Sequence, residues 1–248
     1  MVAVALALSV LIGLSLGLLG GGGSILTVPI LSYVAGMSTK AAIASSLFVV
    51  AVTSSVAVVA HARARRVRWQ TGVVFGAAGM AGAYGGGFLA AFVPARALMI
   101  LFGAMMAATA LAMLRPGKPA AASSPRADVP IAKILVDGVV VGVVTGLVGA
   151  GGGFLVVPAL VLLGGLSMQT AVGTSLLVIA MKSFAGLAGH LAHVELDWPL
   201  TLAVTGAAIA GSLLGGRLVD RIPPQMLRRG FGLFIAAMSV FVVANELL

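Results

Sequence analysis

Residues 41–60, AAIASSLFVVAVTSSVAVVA, contain no charged side chain. A helix needs about 20 such residues to cross the ~30 Å hydrocarbon core of a bilayer. Comparable apolar segments recur at 70–91, 95–114, 170–189, 199–219 and 226–247. Only 8% of the 248 residues are charged, against roughly 25% in a soluble domain. The chain therefore has too little polar surface to dissolve as a globule. In lipid an open strand edge would leave backbone groups unsatisfied, so these segments predict an all-α integral membrane protein, embedded in the lipid bilayer.

The chain repeats itself. Moving it along its own length by 129 positions puts Gly17 on Gly146, Pro29 on Pro158 and Ser46 on Ser175. The same shift puts His61 on His190, Trp69 on Trp198 and Pro94 on Pro223. Apolar letters coincide by chance, but His, Trp and Pro at one offset mark a duplicated unit. Residues 1–114 form the first membrane repeat and 131–248 the second. The Pro- and Ala-rich segment 115–130 joins them as a cytoplasmic linker. Each repeat begins with an apolar segment broken by glycines (2–19 then 24–37; 131–148 then 154–166) and continues with three further segments. The count is eight full spans, or up to ten segments when the halves of the two broken helices are taken separately.

Charge places the loops. The net charge is +9, yet the basic residues occupy short loops with no interleaved aromatics to stack on bases, so no nucleic-acid partner is expected. Four arginines lie in 61–68, four Lys or Arg in 115–133 and four arginines in 217–229, whereas 190–198 carries Glu195 and Asp197 and no Lys or Arg. If each repeat crosses five times, the second is inverted and all three basic clusters are cytoplasmic, as the positive-inside rule favours. The weak point is 24–37, whose 14 residues reach only about 21 Å as a helix. An extended ILTVP or a re-entrant course would make up the length. The N-terminal MVAVALALSVLIGLSLG has no basic start and reads as a retained span. With no cysteine, disulfides and thiolate metal sites are excluded.

The glycine runs carry the functional expectation. A run breaks a helix and strips backbone amides of partners. Such backbone persists in a bilayer only when packed in protein or lining a watery cavity. Inverted-repeat carriers hold substrate near the midplane at such breaks, on the positive ends of half-helices. Gly20, Gly21, Gly22, Gly23 and Ser24 form one candidate substrate site, and Gly149, Ala150, Gly151, Gly152 and Gly153 its counterpart. Glycines four apart elsewhere, as Gly82 and Gly86 or Gly211 and Gly215, suit close helix packing.

Lys182 lies mid-span, where an ionisable group is costly and marks function by default. It would act as countercharge to an anion or as a proton carrier, and its repeat mate is Thr53. Ser45, Ser46, Thr174 and Ser175 occupy matched positions, where their hydroxyls either bind an oxyanion beside the glycine loops or join helices. Asp137 is a further candidate proton carrier. His61 and His190, at span ends, fit a structural role better than metal binding. No P-loop, Ser-His-Asp set, paired carboxylates or HExxH appears, so no enzyme, cofactor or metal is expected.

GLLGGGGSILTVPIL with STKAAIASSL, repeated as GLVGAGGGFLVVPAL with SMQTAVGTSL, resembles the sulfite exporter TauE/SafE family of membrane permeases. The resemblance covers nearly the whole chain and implies about eight spans in two related halves. It further implies transport of sulfite, sulfonates or other small sulfur-containing or organic anions across the bacterial inner membrane. The glycine runs, Pro29, Pro158 and the two hydroxyl pairs are the positions that match. The expected activity is secondary transport by alternating access, with protons as the coupling ion. An anion channel is the alternative.

Overall fold

The computed structural model describes residues 2–115, 131–148, 153–162, 165–191, 193–218 and 221–247. Ten α-helices account for nearly all of them. The first half of the chain contains α1 (Val2–Leu19), α2 (Gly22–Pro29), α3 (Thr39–Arg63), α4 (Trp69–Ala90) and α5 (Ala95–Leu114). The second contains α6 (Ile131–Val148), α7 (Gly153–Leu162), α8 (Met168–Leu191), α9 (Trp198–Leu218) and α10 (Pro224–Leu247). Among the described residues six helices are long and apolar enough to cross a membrane, and α3 and α8 are the most buried of them. An all-α membrane fold follows.

The stretch after the first glycine break is not extended. Pro29 closes α2, and the chain continues as a π-helical segment, Ile30–Val34. Proline removes one donor and crowds the preceding turn, and the wider ladder, with the Ala35 amide donating to the Ile30 carbonyl at 2.9 Å, accommodates it. At ~1.5 Å per residue the helical run from 22 to 34 rises about 20 Å.

Contacts recur between the halves with 129 added. Gly82 packs on the backbone of Val139 and Val143 of α6, and Gly211 on that of Val10 and Leu14 of α1. Gly86 meets Val143 and Leu147, as Gly215 meets Leu14 and Leu18. A Cβ at any of the four would enter the neighbouring main chain, so α1 with α9, and α4 with α6, approach at glycine separation. Those pairs are parallel. So are α4 and α8, where Gly72 meets Leu177 and Gly87 meets Gly186. Arg68, just beyond the end of α3, bonds Thr174, early in α8. The central helices α3 and α8 therefore run antiparallel, with Leu47, early in α3, against Gly186, late in α8.

The same contacts gather the basic loops at one end. Gly173, near the start of α8, packs on Arg66, and the Arg68 amide donates to Thr174 Oγ1 at 3.0 Å. Gly216, near the end of α9, faces His61, and Arg228 donates to the carbonyls of Met113 and Arg115 at 3.2 Å. The 193–198 loop lies at the other end, with His193 against Phe88 and Phe92 and Trp198 against Phe48.

Candidate functional site

Each broken helix leaves carbonyls in its last turn without the i+4 amides that would pair with them. In α1 the Gly20 amide reaches the Leu16 carbonyl at 2.8 Å. The Gly17 carbonyl is taken by His61, whose ring Nε2–H donates from 3.1 Å. In the second repeat His190 donates to the Gly146 carbonyl from 2.9 Å. Both imidazoles are buried. They fix the helix end that precedes each break, and the role expected of them as structural residues takes this specific form.

The first break is packed at the centre of the molecule. Gly20, Gly21, Gly23 and Ser24 are buried. Gly20 adopts φ +73°, a left-handed conformation that costs a side-chain-bearing residue roughly 1–2 kcal/mol. A Cβ there would also come within 2.6 Å of Ser175 Oγ and 2.9 Å of Val172 Cα. No side chain caps the N-terminus of α2 at Gly21, and the Ser24 hydroxyl donates to the Gly21 carbonyl at 2.7 Å. The burial of Gly22 and the whole of Gly149, Ala150, Gly151 and Gly152 lie outside what is described. Gly153 is described. Its missing Cβ would approach Gly21 Cα to 2.5 Å and Ile179 Cδ1 to 2.6 Å. The residue closing the second break therefore packs directly on the first, beside α8.

The hydroxyl pairs divide their work. Ser45 accepts from the Thr201 hydroxyl of α9 at 3.1 Å, and its mate Thr174 accepts from the Arg68 amide, so both join helices. Ser46 and Ser175 donate to their own helices, at the Ile43 and Val172 carbonyls. Ser175 is the one whose oxygen touches the glycine break.

Lys182 is 1% exposed. Among the described residues its Nζ has no hydrogen-bond partner. Its aliphatic chain lies across Gly79 of α4, with Cδ in clash range of the point where a Cβ would stand and Cγ at 2.9 Å from that point. At the positions 129 residues away from Lys182 and Gly79 the chain has Thr53 on α3 and Ala208 on α9. One half thus combines a lysine with a glycine, the other a threonine with an alanine. Lys182 stands one turn beyond Ile179 and two beyond Ser175, both of which touch the breaks, so the ammonium and the interrupted helices belong to one central region. The Asp137 side chain lies outside the described residues.

Sequence reasoning missed three groups. The oxygens of Thr53, Ser54 and Ser183 are buried without a partner among the described residues. The signal was available, because 53 and 54 are the repeat mates of 182 and 183. Lys40 was also overlooked; it donates to the Ala91 carbonyl at 2.7 Å and pins the end of α4. An open groove of about 420 Å³ lies between α3, α8 and α9, with Val56, Arg63, Phe184 and Leu213 in its wall, and includes none of the described residues of the breaks.

These features can be set beside known proteins. The family model described as sulfite exporter TauE/SafE matches residues 5–242. A probable membrane transporter protein of Xylella fastidiosa (strain Temecula1) is 34% identical over 242 residues, covering 94% of this chain and 91% of that protein. The probable membrane transporter protein MJ0441 of Methanocaldococcus jannaschii is 28% identical, covering 96% and 95%. YdhB of Bacillus subtilis, also a probable membrane transporter protein, is 26% identical, covering 88% and 90%. No solved structure matches significantly. Apolar helices of spanning length, glycine-interrupted segments in both halves and a match along almost the whole sequence agree that this multi-pass membrane protein belongs to the sulfite exporter TauE/SafE family of transporters.

Proposed function

We propose that the chain is a secondary carrier of a small anion, sulfite or another sulfur-containing or organic anion, in the bacterial inner membrane. The observation that carries this reading is the contact of Gly153 with Gly21 beside Ile179, one turn along α8 from Lys182, whose buried Nζ has no hydrogen-bond partner among the described residues. Interrupted backbone and a buried positive charge meet where two halves with recurring contacts join. An anion has a reason to enter such a place, since it would pair with the ammonium and with amides at the half-helix N-termini.

The halves are inverted repeats of five passes each, with 61–68, the linker and 217–229 cytoplasmic. The antiparallel course of α3 and α8, and the gathering of the basic loops at one end, support this orientation. Alternating access is a rocking of one half against the other across the small-residue contacts of α1 with α9 and α4 with α6. Burial of the first break corresponds to a closed stage of that cycle. Protons are the coupling ion, and transport itself calls for no covalent chemistry.

The test is counterflow. Purified protein in liposomes preloaded with unlabelled sulfite should take up external ³⁵S-sulfite transiently and saturably. Unitary sulfite currents in planar bilayers, without counterflow, would establish the channel alternative and overturn the carrier.

A further inference from the structure

We infer that Thr53, Ser54 and Ser183 complete, with Lys182, the donor set that receives the anion, an inference that rests on the carrier reading above. A serine or threonine inside a helix has a ready partner in the carbonyl three or four residues back. This chain uses that partner repeatedly. Ser9, Thr27, Thr109, Thr145, Thr205 and Ser212 all donate backwards along their own helices. Other buried hydroxyls reach across helices, as Ser239 does to the Gly103 carbonyl at 2.9 Å. Among the described residues the buried hydroxyls left with no partner are those of Thr53, Ser54 and Ser183.

Their positions are not scattered. Thr53 and Ser54 stand on α3 where Lys182 and Ser183 stand on α8, each pair displaced from the other by 129 residues. The two helices run antiparallel, and Val50 and Ile179, themselves repeat mates, belong to one apolar cluster with Leu16 of α1. The four unpartnered groups thus stand beside one helix–helix crossing, one turn from that repeat-mate pair. Ile179 is the residue that touches Gly153, so this crossing and the paired breaks occupy the same region.

A polar group buried without a partner calls for a reason, and four such groups at one crossing share one. Three hydroxyls supply O–H donors and the ammonium supplies three N–H donors. That inventory suits an oxyanion with several oxygens to satisfy, and the ammonium disfavours a cation. The sequence difference between halves then has a meaning: the cationic cell holds charge, and the Thr53–Ser54 cell offers neutral donors across the crossing.

The experiment is thermal unfolding of the purified full-length protein with and without sulfite at constant ionic strength, for Thr53→Val, Ser54→Ala and Ser183→Ala. Each replacement removes a hydroxyl with no partner among the described residues, so each variant should unfold no earlier than wild type in the absence of sulfite. Each should weaken apparent sulfite affinity by roughly tenfold or more, the loss expected when a hydrogen bond to a charged group is removed. Ser239→Ala is the contrast: it breaks an interhelical bond between α5 and α10, and should unfold earlier while keeping wild-type sulfite affinity. If the three variants bind sulfite as wild type does, the inference is overturned and the carrier reading stands. If sulfite, sulfate and thiosulfate all leave wild type unshifted, the carrier reading falls and takes this inference with it.

Discussion

Gly79 and Lys182 should be energetically coupled. A methyl on Gly79 would clash with Lys182 Cδ and stand 2.9 Å from Cγ, while its next neighbour, the Gly138 carbonyl oxygen, is 3.4 Å away. The other repeat shows that the helix spacing itself accepts the methyl. Ala208 occupies the mate position of Gly79, and the surrounding contacts repeat there: Gly13 meets the Ala208 carbonyl as Gly142 meets that of Gly79. What differs is the residue at the position matching Lys182, which is the shorter Thr53. Gly79→Ala alone should therefore overpack, at a cost of about 1–3 kcal/mol, partly offset by the ~1 kcal/mol that alanine gains over glycine in a helix. In a Lys182→Thr background the clash is gone and the propensity gain remains. That gain cancels in the double-mutant cycle, leaving a coupling of about 1–3 kcal/mol. Equilibrium unfolding in mixed micelles measures it. If Gly79→Ala has the same effect in both backgrounds, the lysine does not lie across the glycine and the account of the central region is wrong.

Two further perturbations separate packing from conformation. His61→Ala should lower stability by about 1–3 kcal/mol, because it leaves the Gly17 carbonyl buried and unpaired, and His190→Ala should do the same at Gly146; guanidinium- or SDS-induced unfolding that leaves either midpoint unchanged would remove the imidazoles from the breaks. Gly20→Ala should lower the thermal midpoint more than Gly36→Ala: both glycines have positive φ, +73° and +76°, but only Gly20 has neighbours within reach of a methyl. Equal shifts would show that the backbone conformation alone, and not the contact with α8, constrains the break.

Much of the fold was legible because a bilayer restricts the choices. Length and apolarity marked α1, α4 and α5 to within a residue or so, and the four-residue glycine spacing marked Gly82, Gly86, Gly211 and Gly215 for close helix packing. The π-helical turn was not legible, since ILTVP reads as well for extended chain as for a helix loosened at Pro29. Nor was the role of each hydroxyl. Ser45 and Ser46 are neighbours 100° apart on one helix, and what each one faces depends on which helix packs there, a tertiary fact. The partners of His61 and His190 are backbone carbonyls, which no residue type encodes. Thr53 shows the opposite case: its pairing with Lys182 was visible in the alignment of the halves, but a lone threonine in an apolar span ordinarily bonds its own helix, and only the geometry shows that this one does not.

The central claim is that the interrupted helices and Lys182 together hold an anion, and density for that anion tests it most directly. In a cryo-EM map of the full-length protein with saturating sulfite, the account predicts solute density about 3 Å from Lys182 Nζ, between α3 and α8 and next to the breaks. A sulfite-saturated map with the same tight packing of Gly21 on Gly153, a bare Lys182 and density only at the surface would contradict it.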